Sequence, residues 1–421
     1  MTCKDIIGKR QPKLRANSLL TTVVIATVIA MICSSLLLLA YVDFDTVRIE
    51  RTHARLQRNL RSAIDLCLAD TAILHSGSPD TLDLFTQGSD SAIIRKENWG
   101  LFNSSCVTVM SHGKTKTKCF LSGPVTDTPL DACLYLAQHD IPLYVSGTTL
   151  LTGDAYLPRA GIQSSYVDQQ GFASDKPLSG ATKTSHNLPA VDQRLITYLR
   201  RLDSTGITAF PPDSLDQSFL DTAAIFHTRS PLILSSGSLR GHILIISDSS
   251  ISVAATARLE NVLLLAPSVT LESGFSGAIQ VIATDSLVLR NGCRLAYPSC
   301  LVLIKAPGAT FQPTLRIGDS STLSGAIVSL APDPNDRIKT YVETGRHTII
   351  TGYLYGSGFV ALKGEVQGEV LTDYFLHRSA TSVLQNFLVD ASIDRTKLSA
   401  WFVGPHLFPT SRPNKIIQWL H

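Results

Sequence analysis

Three stretches decide the fold: Ile245–Val253 (IISDSSISV), Leu263–Leu271 (LLLAPSVTL) and Val281–Leu289 (VIATDSLVL). Stacked, they put Ile245, Leu263 and Val281 in one column. Ile251, Val269 and Leu287 form a second, and Val253, Leu271 and Leu289 a third. Each repeat is a short apolar strand, a Ser/Asp/Pro turn and an alternating strand. A fixed period of about 20 residues signals a solenoid. One such coil cannot bury its inward side chains alone, whereas stacked coils bury a continuous apolar column and pair their backbones. Outward positions are expected to be Ser, Thr, Asp and Gly. Further, less regular turns follow at LVLIKA (301–306), GAIVSLA (325–331), YLYGSGFVALKG (353–364) and EVQGEVLTDYFL (365–376). The expected fold is mainly β, a right-handed parallel β-helix, preceded by a small α+β region and a helical spine. Strands of an antiparallel sandwich recurring at the same period are the alternative.

The N-terminal part reads differently. Ser18 to Tyr41 carries no charged side chain and contains TTVVIATVIAMICSSLLLLA. About 20 apolar residues span a bilayer core as a helix, which satisfies its own backbone groups. Lys4, Lys9, Arg10, Lys13 and Arg15 precede it against Asp5 alone. That asymmetry places the N-terminus in the cytoplasm and the rest across the membrane. A cleaved signal peptide would have a shorter apolar core of about 7–15 residues. From Asp43 to Ala72 no Gly or Pro occurs, and Leu56, Leu60, Ile64 and Leu68 recur every four residues. This amphipathic pattern extends the span into one rod over 18–72, unless it breaks near 41–44. Gly77 and Pro79 end it.

The expected organisation is then a basic leader (1–17), a transmembrane helix (18–41), a continuing helix (42–76), a mixed region (77–215), the β-helix (216–380) and a C-terminal cap (381–421). Within the mixed region, 102–110 and 116–123 read as paired strands. Residues 128–139 read as a helix capped by Thr128 with Pro129 at its first position. Residues 189–202 read as a short amphipathic helix, and 203–216 as a linker. The tail 382–398 shows a helical pattern with Leu384, Phe387 and Leu388.

Composition excludes some classes. The net charge is +3, and five bases against one acid give the first 17 residues +4, leaving the remainder near −1. No basic face points to nucleic acid. Of eight cysteines, Cys106–Cys119 could staple a hairpin and Cys293–Cys300 close a small loop, or these could stay free thiols. None has zinc-finger or CxxC spacing.

The first 55 residues after the leader (KLRANSLLTTVVIATVIA and onward) resemble the spine of type IV pilin-like proteins, above all minor pilins and minor pseudopilins. Two positions depart from that pattern: Ala16 or Asn17 where the leader usually ends in Gly, and Thr22 at the fifth mature position instead of Glu. The region 232–375 is similar to the right-handed β-helix of bactofilin-like polymer-forming proteins, and to exported bacterial proteins of unassigned function. The resemblance implies a bacterial inner-membrane protein with a periplasmic or extracellular body. It would pack in a cell-envelope assembly such as a pilus or secretion machine.

No catalytic, cofactor or metal site is expected. HExxH, GxSxG and a Walker A loop are missing from the sequence, and GKTKTK (113–118) lacks the upstream glycine spacing. His242 and His347 read as surface or turn residues of coils. Asp248 and Asp285 are the best carboxylates for glycoside hydrolysis, which needs two about 5–10 Å apart. They read as turn residues, as do Glu272, Arg290 and Asp319. The expected partners are the lipid bilayer through 18–41, proteins of an envelope assembly, and no nucleic acid. Two alternatives stay open: an adhesin or carbohydrate-binding β-helix, and a polysaccharide-active enzyme.

Overall fold

The computed structural model describes residues 16–69, 80–83, 90–111, 113–125, 131–202, 207–208, 210–333, 336–379, 382–409 and 413–420. The leader's basic residues, Thr128 and Pro129, and Gly77 and Pro79 lie outside them. One long N-terminal helix is followed by a mainly β body.

Helix α1 runs unbroken from Ala16 to Leu68, 53 residues, or about 80 Å. No break occurs at 41–44. Its two halves live in different surroundings. From Leu19 to Phe44 the large apolar side chains are exposed. Beyond, Leu56, Leu60, Ala63, Ile64 and Cys67 form a buried stripe. It packs on an antiparallel sheet of β1 (Asp80–Asp83), β2 (Asp90–Trp99), β3 (Phe102–Ser111), β4 (Lys114–Pro124) and the C-terminal strand Asn414–Leu420. Ala92, Ile94, Val107, Val109 and Phe120 supply the sheet's side of that core. The expected hairpin of 102–110 with 116–123 is present as β3 and β4.

The rest of the body is a stack of parallel strands. The inward column passes through Ile245, Leu264, Val281, Leu301, Ile327, Leu354, Val370 and Leu134, each facing the next. All eight are fully buried. The columns at Ile251–Val269–Leu287 and Val253–Leu271–Leu289 follow the expected 18-residue period. The third does not. Ile245 faces Leu264, not Leu263, because the ladder slips between Ala266 and Ser268. Pro267, at that slip, has no N–H to give the ladder. A one-residue shift keeps Ile245, Leu264 and Val281 all pointing inward, as the two-residue period requires.

The outward face also departs from expectation. Alternate residues Ile246, Leu265, Ile282, Val302, Val328, Tyr355 and Leu371 form a second buried column. Helix α2 (Gln193–Arg201) covers part of it with Ile196 and Leu199, alongside Leu407 and Phe408. Strands covered on both faces lose the polar alternation, which explains the runs ILII, LLL and LVLI.

Several local expectations are corrected. Within 131–139 the chain forms strand Leu134–Leu136 instead of helix, all three residues buried. Residues 382–398 form strands Val383–Gln385, Phe387–Val389 and Ala391–Asp394 with one 3-10 turn, not a helical cover. Tertiary pairing overrides a helical pattern this short. Leu134–Leu136 and Ala391–Asp394 stack directly on Gly364–Arg378. Leu150–Thr152 and Ala155–Leu157 stack on them in turn, then Leu178–Ser179 and Thr182–Thr184. One end of the stack is thus built from chain that precedes it in sequence. The linker 203–216 contributes at the other end, where Ser214–Gln217 pairs with Ser238–Gly241. Helix α2, capped by Asp192 accepting from Arg194 N at 2.9 Å, falls within the expected 189–202.

Candidate functional site

The first feature able to act outside the chain is the exposed half of α1. It is the one helix among the described residues long and apolar enough to cross a membrane, and its most apolar 18 residues have a mean hydropathy of 2.7. Three of its hydroxyls bond within the helix. Thr22 donates to Leu19 O (2.9 Å), Thr27 to Val24 O (2.8 Å) and Ser35 to Ile32 O (2.8 Å). Such back-bonding removes the cost of bare hydroxyls in an apolar medium.

The helix is tied to the sheet where it leaves the apolar stretch. Arg55 Nε lies 2.7 Å from Asp90 Oδ2, and Asn59 Nδ2 donates to the same oxygen at 2.9 Å. Burial opposes ionisation of Asp90. Hydrogen bonds from Ser111, Asn59 and Arg55, with the Arg55 charge, outweigh that and hold its pKa below the usual carboxylate value.

The sheet is clasped to the parallel stack by buried polar groups. Leu101 N donates to Gln280 Oε1 at 2.8 Å, and Gln280 Nε2 donates to Trp99 O at 2.9 Å. His242 stacks on Phe219 with centroids 4.6 Å apart and meets Trp99 edge-on at 4.7 Å. It is 4% exposed, so its reading as a surface residue is corrected. Burial depresses its pKa, only partly offset by the Asp221 carbonyl. His347 is exposed at φ 56°, a turn residue as expected.

The carboxylates singled out in the sequence have local partners. Asp248 Oδ1 lies 2.6 Å from His227 Nε2. Asp285 accepts from its neighbour Thr284 at 2.9 Å. The two stand on rungs two apart. Glu272 pairs with Arg290 at 2.8 Å, and Asp319 accepts from Arg346 N at 2.7 Å. GKTKTK lies on the β3–β4 hairpin. Cys106 and Cys119 face each other there and form a disulfide. Cys293 and Cys300 do not pair; both are buried free thiols whose pKa burial raises.

Sequence reasoning missed one cluster. His139 Nε2 lies 3.0 Å from Asp373 Oδ1, and Tyr374 Oη lies 3.0 Å from His139 Nδ1. A separation of 234 residues leaves no spacing signal. The two rings are stacked, 4.0 Å apart at 15°. The hydroxyl therefore meets Nδ1 from above the ring, off the in-plane lone pair that proton transfer uses. Among the described residues no group of three or more His, Cys, Asp or Glu side chains could hold a metal. Compared with protein families, curated proteins and solved structures, the chain matches none.

Proposed function

We propose that the chain is a membrane-anchored, exported structural protein of the bacterial cell envelope, a pilin-like component of a pilus or secretion assembly. One observation carries the reading. A single unbroken helix exposes an apolar half and packs its other half on an antiparallel sheet. The apolar half sits in the inner membrane with the N-terminus cytoplasmic, and there it packs against like helices. The buried half transmits that position to the body without a hinge. The parallel stack, wound as a right-handed β-helix, is a stiff surface on the far side. Its continuous buried column and the backbone pairing between successive rungs resist bending.

The test is fractionation with sequencing of the mature N-terminus, followed by protease added outside the inner membrane. The expected outcome is a membrane-bound chain starting near Ser18, whose body the protease removes. A chain in the soluble fraction would sink the anchor. A membrane-bound chain still starting at Met1 would sink the processed-pilin version.

A further inference from the structure

We propose that the groove between α1 and the tip of the β3–β4 hairpin binds the headgroup of an anionic phospholipid. The inference rests on reading α1 as a membrane anchor, and it gives that anchor a lipid preference. The groove, about 520 Å³, opens just past the apolar stretch and is lined by Phe44, Val47, Arg48, Arg51 and Arg55 of α1 and by Lys114 of the hairpin.

Three observations point to this occupant. The first is the order of the lining. Phe44 and Val47, with Asp45 between them, come first along the helix, and Arg48, Arg51 and Arg55 follow around Ile49 and Thr52, so the basic side chains gather on the side away from the span. A phospholipid has the same order, acyl chain then phosphate. Arg48 lies seven residues past Tyr41, about 10 Å along the axis, and arginine heads reach back toward the interface.

The second is segregation of charge around the helix. At 3.6 residues per turn, Phe44, Arg48, Arg51 and Arg55 share one face. Asp43 and Glu50 lie about a third of a turn away, leaving Asp45 as the acid in the groove. Across from this face the hairpin turns at Gly113 (φ 74°) and presents Lys114.

The third is availability. Arg55 is held by Asp90. Among the described residues no ion partner engages Arg48, Arg51 or Lys114, and all three are exposed. Three guanidinium or ammonium groups around one cleft suit a phosphate.

The experiment places the full chain in nanodiscs of phosphatidylcholine with a minor fraction of phosphatidylglycerol. Retained lipid is identified by native mass spectrometry. Phosphatidylglycerol should be enriched on the natural chain. Arg48→Gln/Arg51→Gln/Lys114→Gln should lose about fivefold in preference per charge, on the order of 100-fold together. Arg61→Gln, exposed on the same helix outside the groove, should retain the full preference. Equal enrichment on the triple variant, or equal loss in Arg61→Gln, overturns the groove while leaving the anchor intact. A chain that enters discs of neither composition overturns both.

Discussion

Arg55 Nε lies 2.7 Å from the buried Asp90 Oδ2, joining helix to sheet where the buried stripe of α1 begins at Leu56. Asp90 is nearly inaccessible, so removing its partner leaves a buried acceptor short of a charged donor. Arg55→Ala should cost about 1–3 kcal/mol, read from denaturant unfolding of the detergent-solubilised chain. The sign with pH follows from the lowered pKa of Asp90. Its contribution is full above about pH 4 and fades as the pH falls through the lowered value. Arg55→Ala should flatten that part of the acid limb, and an unchanged limb would refute the coupling.

His242 makes a second pH prediction in a different range. Its folded pKa is depressed by burial between Trp99 and Phe219. The neutral ring thus contributes stability in full above about pH 6.5. That contribution declines as the pH drops below this toward the lowered pKa. Urea midpoints of the natural chain should fall over that interval, and those of His242→Phe should fall less. Parallel curves for the two proteins would count against it.

The Cys106–Cys119 bridge closes 13 residues of β3–β4. Cys106→Ser/Cys119→Ser should lower stability by about 2–4 kcal/mol. The difference should vanish in reductant. The same sample tests the free thiols. Cys133, whose pKa burial pushes up to about 12, and Cys293 and Cys300 should resist alkylation until the chain is unfolded. Fast native labelling would contradict their burial.

A glycine column marks a corner of the stack. Gly325 faces Gly352, and Gly352 faces Gly368. At Gly352 φ is 134°, and a Cβ would fall 1.9 Å from Gly325 O. Gly352→Ala therefore meets both left-handed strain and rigid backbone. It should destabilise by about 2 kcal/mol or more. The comparison is Leu264→Ala in the inward column, where a cavity costs about 2–5 kcal/mol. Melting curves of the two variants check both, and a neutral Gly352→Ala would show that the rung can shift.

Much of the architecture was legible because its causes are local. The uncharged run 18–41 and the four-residue spacing of Leu56, Leu60, Ile64 and Leu68 define α1. A helix makes its hydrogen bonds within four residues, so its pattern is complete in the sequence. The 18-residue columns at Ile251 and Val253 were legible too, since successive rungs are neighbours in the chain. The hairpin holding Cys106 and Cys119 was legible as well, whereas their pairing stayed open between a bridge and free thiols until the strand register put them face to face.

Tertiary structure alone decided the rest, and the reason is distance along the chain. Leu134 stacks on Val370, 236 residues later, because the open edge of one rung accepts any strand of matching pleat. Nothing near Leu134 records that partner, so its short apolar run looked helical. The slip at Pro267 depends on which side chains must face inward across three rungs. The burial of the column from Ile246 to Leu371 depends on Trp99, Leu101, α2 and Leu407 arriving from elsewhere in the chain. The groove beside Arg48 likewise exists only because the β3–β4 tip comes to lie against α1. Local periodicity determines which elements form, whereas the pairing of edges and faces is settled by contacts that only the assembled chain contains.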